Sequence, residues 1–226
     1  MNDLTIIYYT ANHLPIRFAK WTRRILVESA GDYPIISVSH KPMKFTENVC
    51  VGRIGRSTYN IYRQILIGAK AAKTEYVAMA EDDVLYPREH FTEFRPKEDE
   101  FAYNHNKWAL YTWNPVYSRK KNRSVMHQLI APRNLLIEAL EERFEKYPDK
   151  NDYPEKYWGE IGKYENGLGV TVRKQSRFFS TKPCVVFCHP HAVGYSRLGN
   201  RKKLGKEQVS ELEPWGKAED VVKMYG

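Results

Sequence analysis

The chain has 226 residues, of which 42% are hydrophobic and 28% are charged. The length corresponds to one large domain or two small ones, and the single domain is the simpler arrangement. The composition excludes a disordered chain. Lys and Arg number 36 against 27 Asp and Glu, and the formal net charge of +9 favours a polyanionic partner, either nucleic acid or an anionic membrane surface.

The N-terminus, the lack of a long apolar run and the cysteines predict where the protein is located. No apolar run approaches the roughly 20 residues that span a bilayer, and Met1 to Leu4 lacks the basic region that begins a signal peptide, so we expect a cytoplasmic protein. Cys50, Cys184 and Cys188 cannot all pair, and reduced, buried thiols are expected. The spacing Cys184-x-x-x-Cys188 before His189 is a poor zinc signature, because no second ligand pair lies upstream.

The first forty residues predict a strand, a helix and a second strand. Thr5 to Thr10 is an apolar and β-branched run, and Asn12, just after it, is a residue type that caps helices. Apolar residues recur at helical spacing from Leu14 to Ala30, and Gly31 is typical of a helix C-terminus. Pro34 to Ser39 predicts the second strand, so that this alternation indicates a parallel sheet with right-handed crossovers.

A glycine- and arginine-containing segment precedes the second helix. Gly52 to Arg56 has the composition of a loop that wraps a phosphate, but it contains neither the dinucleotide-binding nor the P-loop pattern, and both of those classes are excluded. The segment Ser57 to Lys73 predicts a helix with an apolar face toward the core.

The most informative stretch is a strand that ends in acids. The apolar run Tyr76 to Ala80 predicts a buried parallel strand, and three consecutive carboxylates follow it: Glu81, Asp82 and Asp83. Crowded acids repel one another and lose solvation, so a bound cation is one reason to tolerate them; a solvated acidic turn is the other. The carboxyl end of such a strand is where ligands bind in an α/β sheet.

A helix that leads into a strand ending in Glu-x-Asp resembles the GT-A glycosyltransferases, of the family 2 type. In that family the acidic pair holds a divalent metal on the diphosphate of a nucleotide-sugar. The resemblance implies an α/β fold with a Rossmann-like, mostly parallel sheet flanked by helices in one compact domain. It implies that residues 1–110 form the nucleotide-sugar-binding half, and that residues 111–226 form the acceptor-side half with a basic C-terminal loop.

The resemblance also assigns the residues around the donor. Glu81 and Asp83 would ligate Mn or Mg, and Asp82 between them would belong to the donor site. The end of the first strand would meet the nucleotide. The further donor-binding residues implied are Tyr9, Thr10, Asn12, Arg56 and Arg63.

The second half of the chain supplies candidates for the acceptor side. Trp108 to Trp113 predicts another strand, and in GT-A proteins the strand after the metal motif shapes the acceptor site, which makes Trp113 and Asn114 pocket candidates. A core position is the alternative for Trp113. Val125 to Ala131 predicts a further strand, and Leu135 to Lys146 predicts a helix.

A long segment from Tyr147 to Gly169 is rich in Pro, Asp, Gly and aromatic residues, and long loops in compact domains are often functional. An inverting glycosyltransferase needs a carboxylate to take the proton from the acceptor hydroxyl. We assign that role to Glu160, with Trp158 beside the acceptor, and solvated acids are the alternative. The other acids available in this segment are Asp152, Glu155 and Glu165.

Two late segments complete the predicted site. The apolar run before His189 and His191 predicts a strand, and alternate residues of a strand share a face. The resemblance to GT-A enzymes implies that these imidazoles complete the metal site of Glu81 and Asp83; a structural role is the alternative. The segment Gly194 to Lys206 is a basic loop, either solvated or able to close over a diphosphate. Its donor-binding candidates are Arg201, Lys202 and Lys203.

The sequence therefore predicts a metal-dependent glycosyltransferase that moves a sugar from a nucleotide-sugar, with UDP-glucose favoured, to an acceptor hydroxyl. The first acceptor hypothesis is a hydroxymethylated pyrimidine in DNA, since the chain resembles phage enzymes that modify such bases and carries basic segments at 119–123, 173–177 and 197–206. The alternatives are a transferase for a cell-surface glycan or lipopolysaccharide, and a nucleic-acid-binding module without enzymatic activity.

Overall fold

The first half of the chain alternates strands and helices as the sequence predicts. A computed structural model describes residues 2–192 and 204–226. Every predicted boundary in this half lies within two residues of the observed one. The elements are β1 (Leu4–Thr10), α1 (Ile16–Ala30), β2 (Ile35–Ser39), β3 (Glu47–Cys50), α2 (Thr58–Ala71) and β4 (Tyr76–Glu81).

The second half consists of shorter elements. After the acidic turn come β5 (Val84–Leu85), α3 (Arg88–Thr92), β6 (Glu100–Asn104), β7 (Lys107–Tyr111), β8 (Asn114–Arg119), a 3-10 turn (Met126–Gln128), β9 (Leu129–Pro132) and α4 (Arg133–Lys146). They are followed by α5 (Glu165–Leu168), β10 (Lys174–Phe178), β11 (Cys184–Cys188), β12 (Gln208–Val209), β13 (Glu211–Leu212), β14 (Gly216–Lys217) and α6 (Ala218–Val222).

A seven-stranded sheet forms the centre of the molecule in the order β10-β6-β9-β4-β1-β2-β3. β1 to β4 run parallel to one another, and β9 runs antiparallel to both of its neighbours. β1 is buried along its whole length, as expected for a parallel strand covered on both faces. The predicted α/β domain with a mostly parallel sheet is confirmed, and the carboxyl ends of β1, β2 and β4 share one edge.

A second sheet, which the sequence analysis does not anticipate, has the order β12-β8-β7-β11-β5. The predicted strand at Trp108 to Trp113 is β7, and it belongs to this sheet instead of extending the first one. β5 follows the acidic turn directly and pairs antiparallel with β11, so Val84 lies opposite Val186. This pairing brings two segments that are far apart in the sequence to the edge where β4 ends.

The packing of α2 fixes the position of that edge. A Cβ atom at Gly68 would meet the side chain of Ile7 on β1, and it would lie 3.2 Å from Val38 Cγ2 on β2. The absence of a side chain therefore lets α2 lie close to the sheet. Ser57 caps the helix by accepting a hydrogen bond from the backbone N–H of Asn60 at 3.2 Å, which places the helix N-terminus beside the ends of β1 and β2.

The segment from Tyr147 to Gly169 is held by a buried ion pair. Arg143 Nη2 on α4 lies 2.9 Å from Glu165 Oε1, with both side chains at most 2% exposed. Arg143 Nη1 also donates to the carbonyl of Gly159 at 2.8 Å, and Glu165 Oε1 accepts from Gly162 N–H at 2.6 Å. Glu165, one of the acids available as a base, is thus buried and paired. Glu160 of the same segment lies near the carboxyl ends of the strands of the first sheet.

None of the three cysteines forms a disulfide bond. Cys184 and Cys188 are buried as expected, whereas Cys50 is exposed at the end of β3. Among the described residues, no helix has the length and apolar character that crossing a membrane requires.

Candidate active site

A cavity of about 370 Å³ opens where β1, β2, β4 and β11 end. Its walls come from these strand ends, from the N-terminus of α2, from the turn before β9 and from the segment that contains Glu160. The predicted site residues that line it are Tyr9, Thr10, Arg56, Glu81, Asp82, Asp83, Glu160 and His189. Five further residues line it: His13, His40, Gln64, His127 and Arg123, which belongs to the basic segment at 119–123.

Glu81 is held by two side chains. Its Oε1 accepts a hydrogen bond from Tyr9 Oη at 3.0 Å, and its Oε2 lies 3.2 Å from His127 Nδ1. Tyr9 is on the adjacent strand β1, opposite Glu81 in the parallel register. The carboxylate is therefore fixed in orientation while it stays partly exposed to the cavity.

Asp82 is directed into the protein. Its carboxylate accepts a hydrogen bond from Thr10 Oγ1, and its backbone carbonyl accepts one from Thr22 Oγ1 at 3.0 Å. Burial, together with the charges of Asp83 and Glu81, raises the pKa of Asp82 to about 8. These contacts link the acidic turn to β1 and α1, and only 8% of Asp82 is exposed.

Asp83 and His189 form a pair across the two sheets. The pairing of β5 with β11 is extended by a hydrogen bond from Phe187 N–H to the Asp83 carbonyl at 2.9 Å. His189 follows the end of β11, and its Nε2 lies 3.0 Å from Asp83 Oδ2. The ring of Tyr225 packs on His189 with the centroids 5.2 Å apart. Two residues 106 positions apart in the sequence thus meet at the cavity wall.

The donor set of this wall fits a hard divalent cation. Carboxylate oxygens and imidazole nitrogens are ligands of Mn²⁺, and Mg²⁺ is commonly held by one or two protein groups together with substrate phosphates. Within residues 2–192 and 204–226, no three His, Cys, Asp or Glu side chains converge as a preformed metal site. Asp83 and His189 meet, whereas Glu81 contacts Tyr9 and His127. A metal bound here would therefore take some of its ligands from the protein and the others from the substrate.

His191 takes part through its backbone. Its carbonyl oxygen accepts hydrogen bonds from Arg56 Nη2 and, at 2.9 Å, from His13 Nε2. Its ring lies 6.3 Å from that of His189, measured between centroids. Burial and the charge of the nearby Arg56 lower the pKa of His13 to about 4, so His13 is neutral at physiological pH. The predicted ligand role of the His191 imidazole remains a prediction.

The other end of the cavity is formed by β1, β2 and α2. Gln64 Nε2 donates to the carbonyls of Thr10 at 3.1 Å and Val38 at 2.9 Å, which ties the two strand ends to the helix. Burial lowers the pKa of His40, and its Nε2 has no hydrogen-bond partner in the part of the chain that is described. This end therefore presents a neutral imidazole and fixed backbone groups.

Several predicted site residues lie outside the cavity. Asn12 does not cap α1, which follows Pro15; instead its Oδ1 accepts from Lys41 N–H at 2.8 Å. Arg63 lines a separate surface depression. Trp113 is exposed just before β8, and Asn114 is exposed as its first residue. Trp158 is 2% exposed within the core, stacked on Tyr59 at 5.4 Å. Arg201, Lys202 and Lys203 lie outside the described residues.

The burial of Trp158 has a clear physical reason. Its large apolar ring is surrounded by aromatic residues of α2, α4 and its own segment: Tyr59, Tyr62, Phe144, Tyr147 and Tyr153. A buried indole of this kind stabilises the segment that positions Glu160. The acceptor role assigned to Trp158 gains no support from this placement.

A buried lysine supports the wall that contains Arg123. Lys107 is 2% exposed, and its Nζ donates to the Arg123 carbonyl at 3.1 Å. Burial, reinforced by the positive charge of Arg123, lowers the pKa of Lys107 from its ordinary 10.5 to about 7. Lys107 is therefore the described lysine whose charge is most costly to keep in the folded state at neutral pH.

We expect Lys107 to make stability depend on pH. Between about pH 7 and pH 10.5 the unfolded chain keeps the proton that the folded chain releases, so the free energy of unfolding rises with pH by up to about 1.4 kcal/mol per unit. Lys107→Met removes this term. Urea denaturation of both proteins at several pH values in the lower part of this window measures the two slopes, and equal slopes would contradict the assignment.

The α/β domain with its mostly parallel central sheet has the GT-A type of fold, as two solved transferases do. No family model matches the chain, and no curated protein matches it. A glycosyltransferase involved in glycosylation of the major capsid of PBCV-1 is 12% identical, with a TM-score of 0.51, covering 82% of this chain and 93% of that one. The 2-C-methyl-D-erythritol 4-phosphate cytidylyltransferase from Thermus thermophilus is 11% identical, with a TM-score of 0.51, covering 84% and 94%. At these identities the similarity shows the fold.

Proposed function

We propose that the chain is a metal-dependent glycosyltransferase that moves a sugar from a nucleotide-sugar to an acceptor hydroxyl. The observation that carries the proposal is the contact between Asp83 and His189 in the wall of a cavity whose other end is formed by β1, β2 and α2. A carboxylate and an imidazole at the carboxyl edge of a parallel sheet suit a cation that bridges to phosphate oxygens.

Different residues are proposed to bind different parts of the donor. Asp83 and His189 would hold Mn²⁺ or Mg²⁺, with Glu81 as a further candidate ligand. When bound, the metal offsets the charge that develops on the leaving nucleoside diphosphate. Arg56 supplies a cation for the phosphates, and the Arg201 to Lys203 segment is proposed to add to it. His40 faces the nucleoside, while Asp82 fixes the acidic turn from behind.

Glu160 is proposed as the general base. It lines the same cavity as Asp83, and its segment is fixed by the buried Arg143 and Glu165 pair. A carboxylate that is held rigidly can accept the proton of an attacking hydroxyl without reorganising, which is the property the role requires. The division into a donor half (1–110) and an acceptor half (111–226) is part of the proposal, and it is supported by the place of Glu160 opposite the strand ends.

For the acceptor we propose a hydroxymethylated pyrimidine in DNA, on the strength of the formal net charge of +9. Part of that charge is neutralised within the protein. Arg119 and Lys121 both pair with Glu207, at 3.0 Å each, and Arg173 pairs with two acids on α4. Arg123, which is exposed and lines the cavity, is the basic residue best placed to meet a phosphate beside the acceptor hydroxyl.

A screen of UDP-, GDP- and ADP-sugars with Mn²⁺ tests the reaction class, with donor hydrolysis and thermal stabilisation as readouts. We expect hydrolysis of at least one donor that stops when EDTA is added. CTP with detection of pyrophosphate is included, because the same fold occurs in a cytidylyltransferase. Pyrophosphate release without sugar release, or nucleic-acid binding with no donor turnover, would contradict the proposal.

The acceptor is tested separately with the donor that the screen identifies. Hydroxymethylated DNA, plain DNA and a lipid-linked glycan are compared at low and high salt, because binding through phosphates weakens steeply as salt rises. We expect transfer to the hydroxymethylated DNA alone. Transfer only to the lipid-linked glycan would overturn the DNA acceptor and leave the glycosyltransferase assignment in place.

A further inference from the structure

His127 is held in one orientation at the cavity wall. It lies in the 3-10 turn before β9, and its Nδ1 is 3.2 Å from Glu81 Oε2. Its backbone carbonyl accepts a hydrogen bond from Tyr86 Oη at 2.9 Å, and Tyr86 Oη accepts one from the backbone N–H of Glu81 at 3.0 Å. Tyr86 is fully buried. The ring and the backbone of His127 are thus both anchored to the acidic turn.

The anchoring decides which ring nitrogen is left as the acceptor. A carboxylate only accepts hydrogen bonds, so Nδ1 carries the proton in the contact with Glu81, and the neutral form of the ring then has its lone pair on Nε2. This nitrogen is buried and has no hydrogen-bond partner within residues 2–192 and 204–226, and the side chain lines the cavity. A buried acceptor of this kind is costly unless a ligand or a water donates to it.

The position of His127 selects the part of the donor that it meets. Asp83 and Arg56 are the proposed phosphate side, and the ends of β1 and β2 are the proposed nucleoside side. In the sheet, β9 lies on the side of β4 away from β1 and β2, so His127, just before β9, lies beyond Glu81 from the nucleoside side. Arg123 and Glu160 line the same cavity. The group beyond the phosphates is the sugar. A wall that offers an imidazole lone pair, a carboxylate and a guanidinium matches a group with several hydroxyls, each of which donates and accepts.

We propose that His127 Nε2 accepts a hydrogen bond from a hydroxyl of the sugar that is transferred, which makes His127 a donor-recognition residue. This inference rests on the proposed function, since it requires a nucleotide-sugar in the cavity. Glu81 then acts twice, as a candidate metal ligand and as the group that sets the tautomer of His127. No covalent step is assigned to the imidazole.

Calorimetric binding of UDP-glucose and of UDP, with GDP-mannose and GDP as a second pair, tests the inference in the presence of Mn²⁺. Loss of one hydrogen bond to the sugar predicts that His127→Ala weakens binding of the nucleotide-sugar about tenfold more than it weakens binding of the matching nucleoside diphosphate. His127→Gln, whose amide oxygen is also an acceptor, should recover part of the difference. His105→Ala is the matched control, because His105 is buried but does not line the cavity.

The outcomes separate the inference from the proposed function. If the wild-type protein binds a nucleoside diphosphate and its sugar conjugate, and His127→Ala weakens both equally or neither, the sugar contact is wrong while the glycosyltransferase proposal stands. If the wild-type protein binds none of the four probes, both fall. A folding defect is recognised by the melting temperature of each variant, and His127→Gln then provides the test.

Discussion

Asp83→Asn is expected to lower donor turnover by about a thousandfold while the protein remains folded. Asp83 contributes the carboxylate that meets His189, and a neutral amide would hold a divalent cation more weakly, so the metal that would offset charge on the leaving diphosphate is lost. A metal contributes several kcal/mol to such a step, and each 1.4 kcal/mol corresponds to about a factor of ten in rate. The measurement is Mn²⁺-dependent hydrolysis of the donor that the screen identifies, with melting temperatures alongside.

Asp152→Asn is the matched control for this experiment. Asp152 is an exposed acid of the segment that carries Glu160, and it does not line the cavity, so the same change in charge should leave turnover within about twofold. His189→Ala should reproduce the loss seen with Asp83→Asn. Turnover that survives in Asp83→Asn would show that the acidic turn has no metal to hold.

Arg143→Met is expected to lower the free energy of unfolding by about 3–5 kcal/mol, which is the usual cost of leaving one partner of a buried ion pair alone. The Glu165 carboxylate would then be buried at 2% exposure with only the N–H of Gly162 as a hydrogen-bond donor among its observed contacts. The Gly159 carbonyl would lose its guanidinium partner as well. Chemical denaturation of the two proteins at neutral pH measures the difference.

A double-mutant cycle shows whether the loss comes from the pair itself. Removing both charges in Arg143→Met with Glu165→Gln should cost less than the sum of the two single changes, since neither charge is then left unpaired. Lys70 and Glu141 form an exposed pair between α2 and α4, and Lys70→Met should cost less than about 1 kcal/mol. Additive effects at Arg143 and Glu165 would contradict the ion-pair explanation.

The same ion pair links stability to the site. Glu160 lies between Gly159, whose carbonyl binds Arg143, and Gly162, whose N–H binds Glu165. We therefore expect Glu165→Gln to reduce transfer more than donor binding, because the base loses its fixed position while the donor site on β1, β2 and α2 is untouched.

Local sequence patterns were sufficient for the first half of the fold. The apolar runs at β1, β2 and β4 and the helical periodicity of α1 and α2 predict these elements because each is buried in the way its period requires. The acidic triplet after β4 correctly indicates a polar edge, since a buried strand that ends in three carboxylates must leave the core there.

The second sheet was not predictable in the same way. β5 has two residues, and its pairing with β11 depends on a contact across about a hundred residues of sequence, which no local pattern contains. The Asp83 and His189 contact was nevertheless anticipated, because an imidazole at the end of a late strand is a chemical signal that does not depend on knowing the topology. The hydrogen bonds that the His191 carbonyl accepts come from Arg56 and His13, and the metal role of its ring stays a prediction.

The placements of Trp158 and His127 show which site residues the local sequence could not predict. An aromatic residue in a long polar segment suggests a binding surface, but the segment folds back onto α2 and α4, and Trp158 is buried. His127 stands in a short turn without a motif, and only the position of that turn beside the end of β4 gives it a partner in Glu81. A histidine just before a strand that pairs with β4 was the signal that could have drawn attention to it.

The most direct test of the account is a crystal structure with Mn²⁺ and UDP, or with the nucleoside diphosphate that the screen selects, recorded at a wavelength where manganese scatters anomalously. We expect one anomalous peak within coordination distance of Asp83 and His189 and next to the diphosphate, with the base toward His40. A diphosphate bound elsewhere, or an Asp83 carboxylate in contact only with His189 and water while the nucleotide is present, would contradict it.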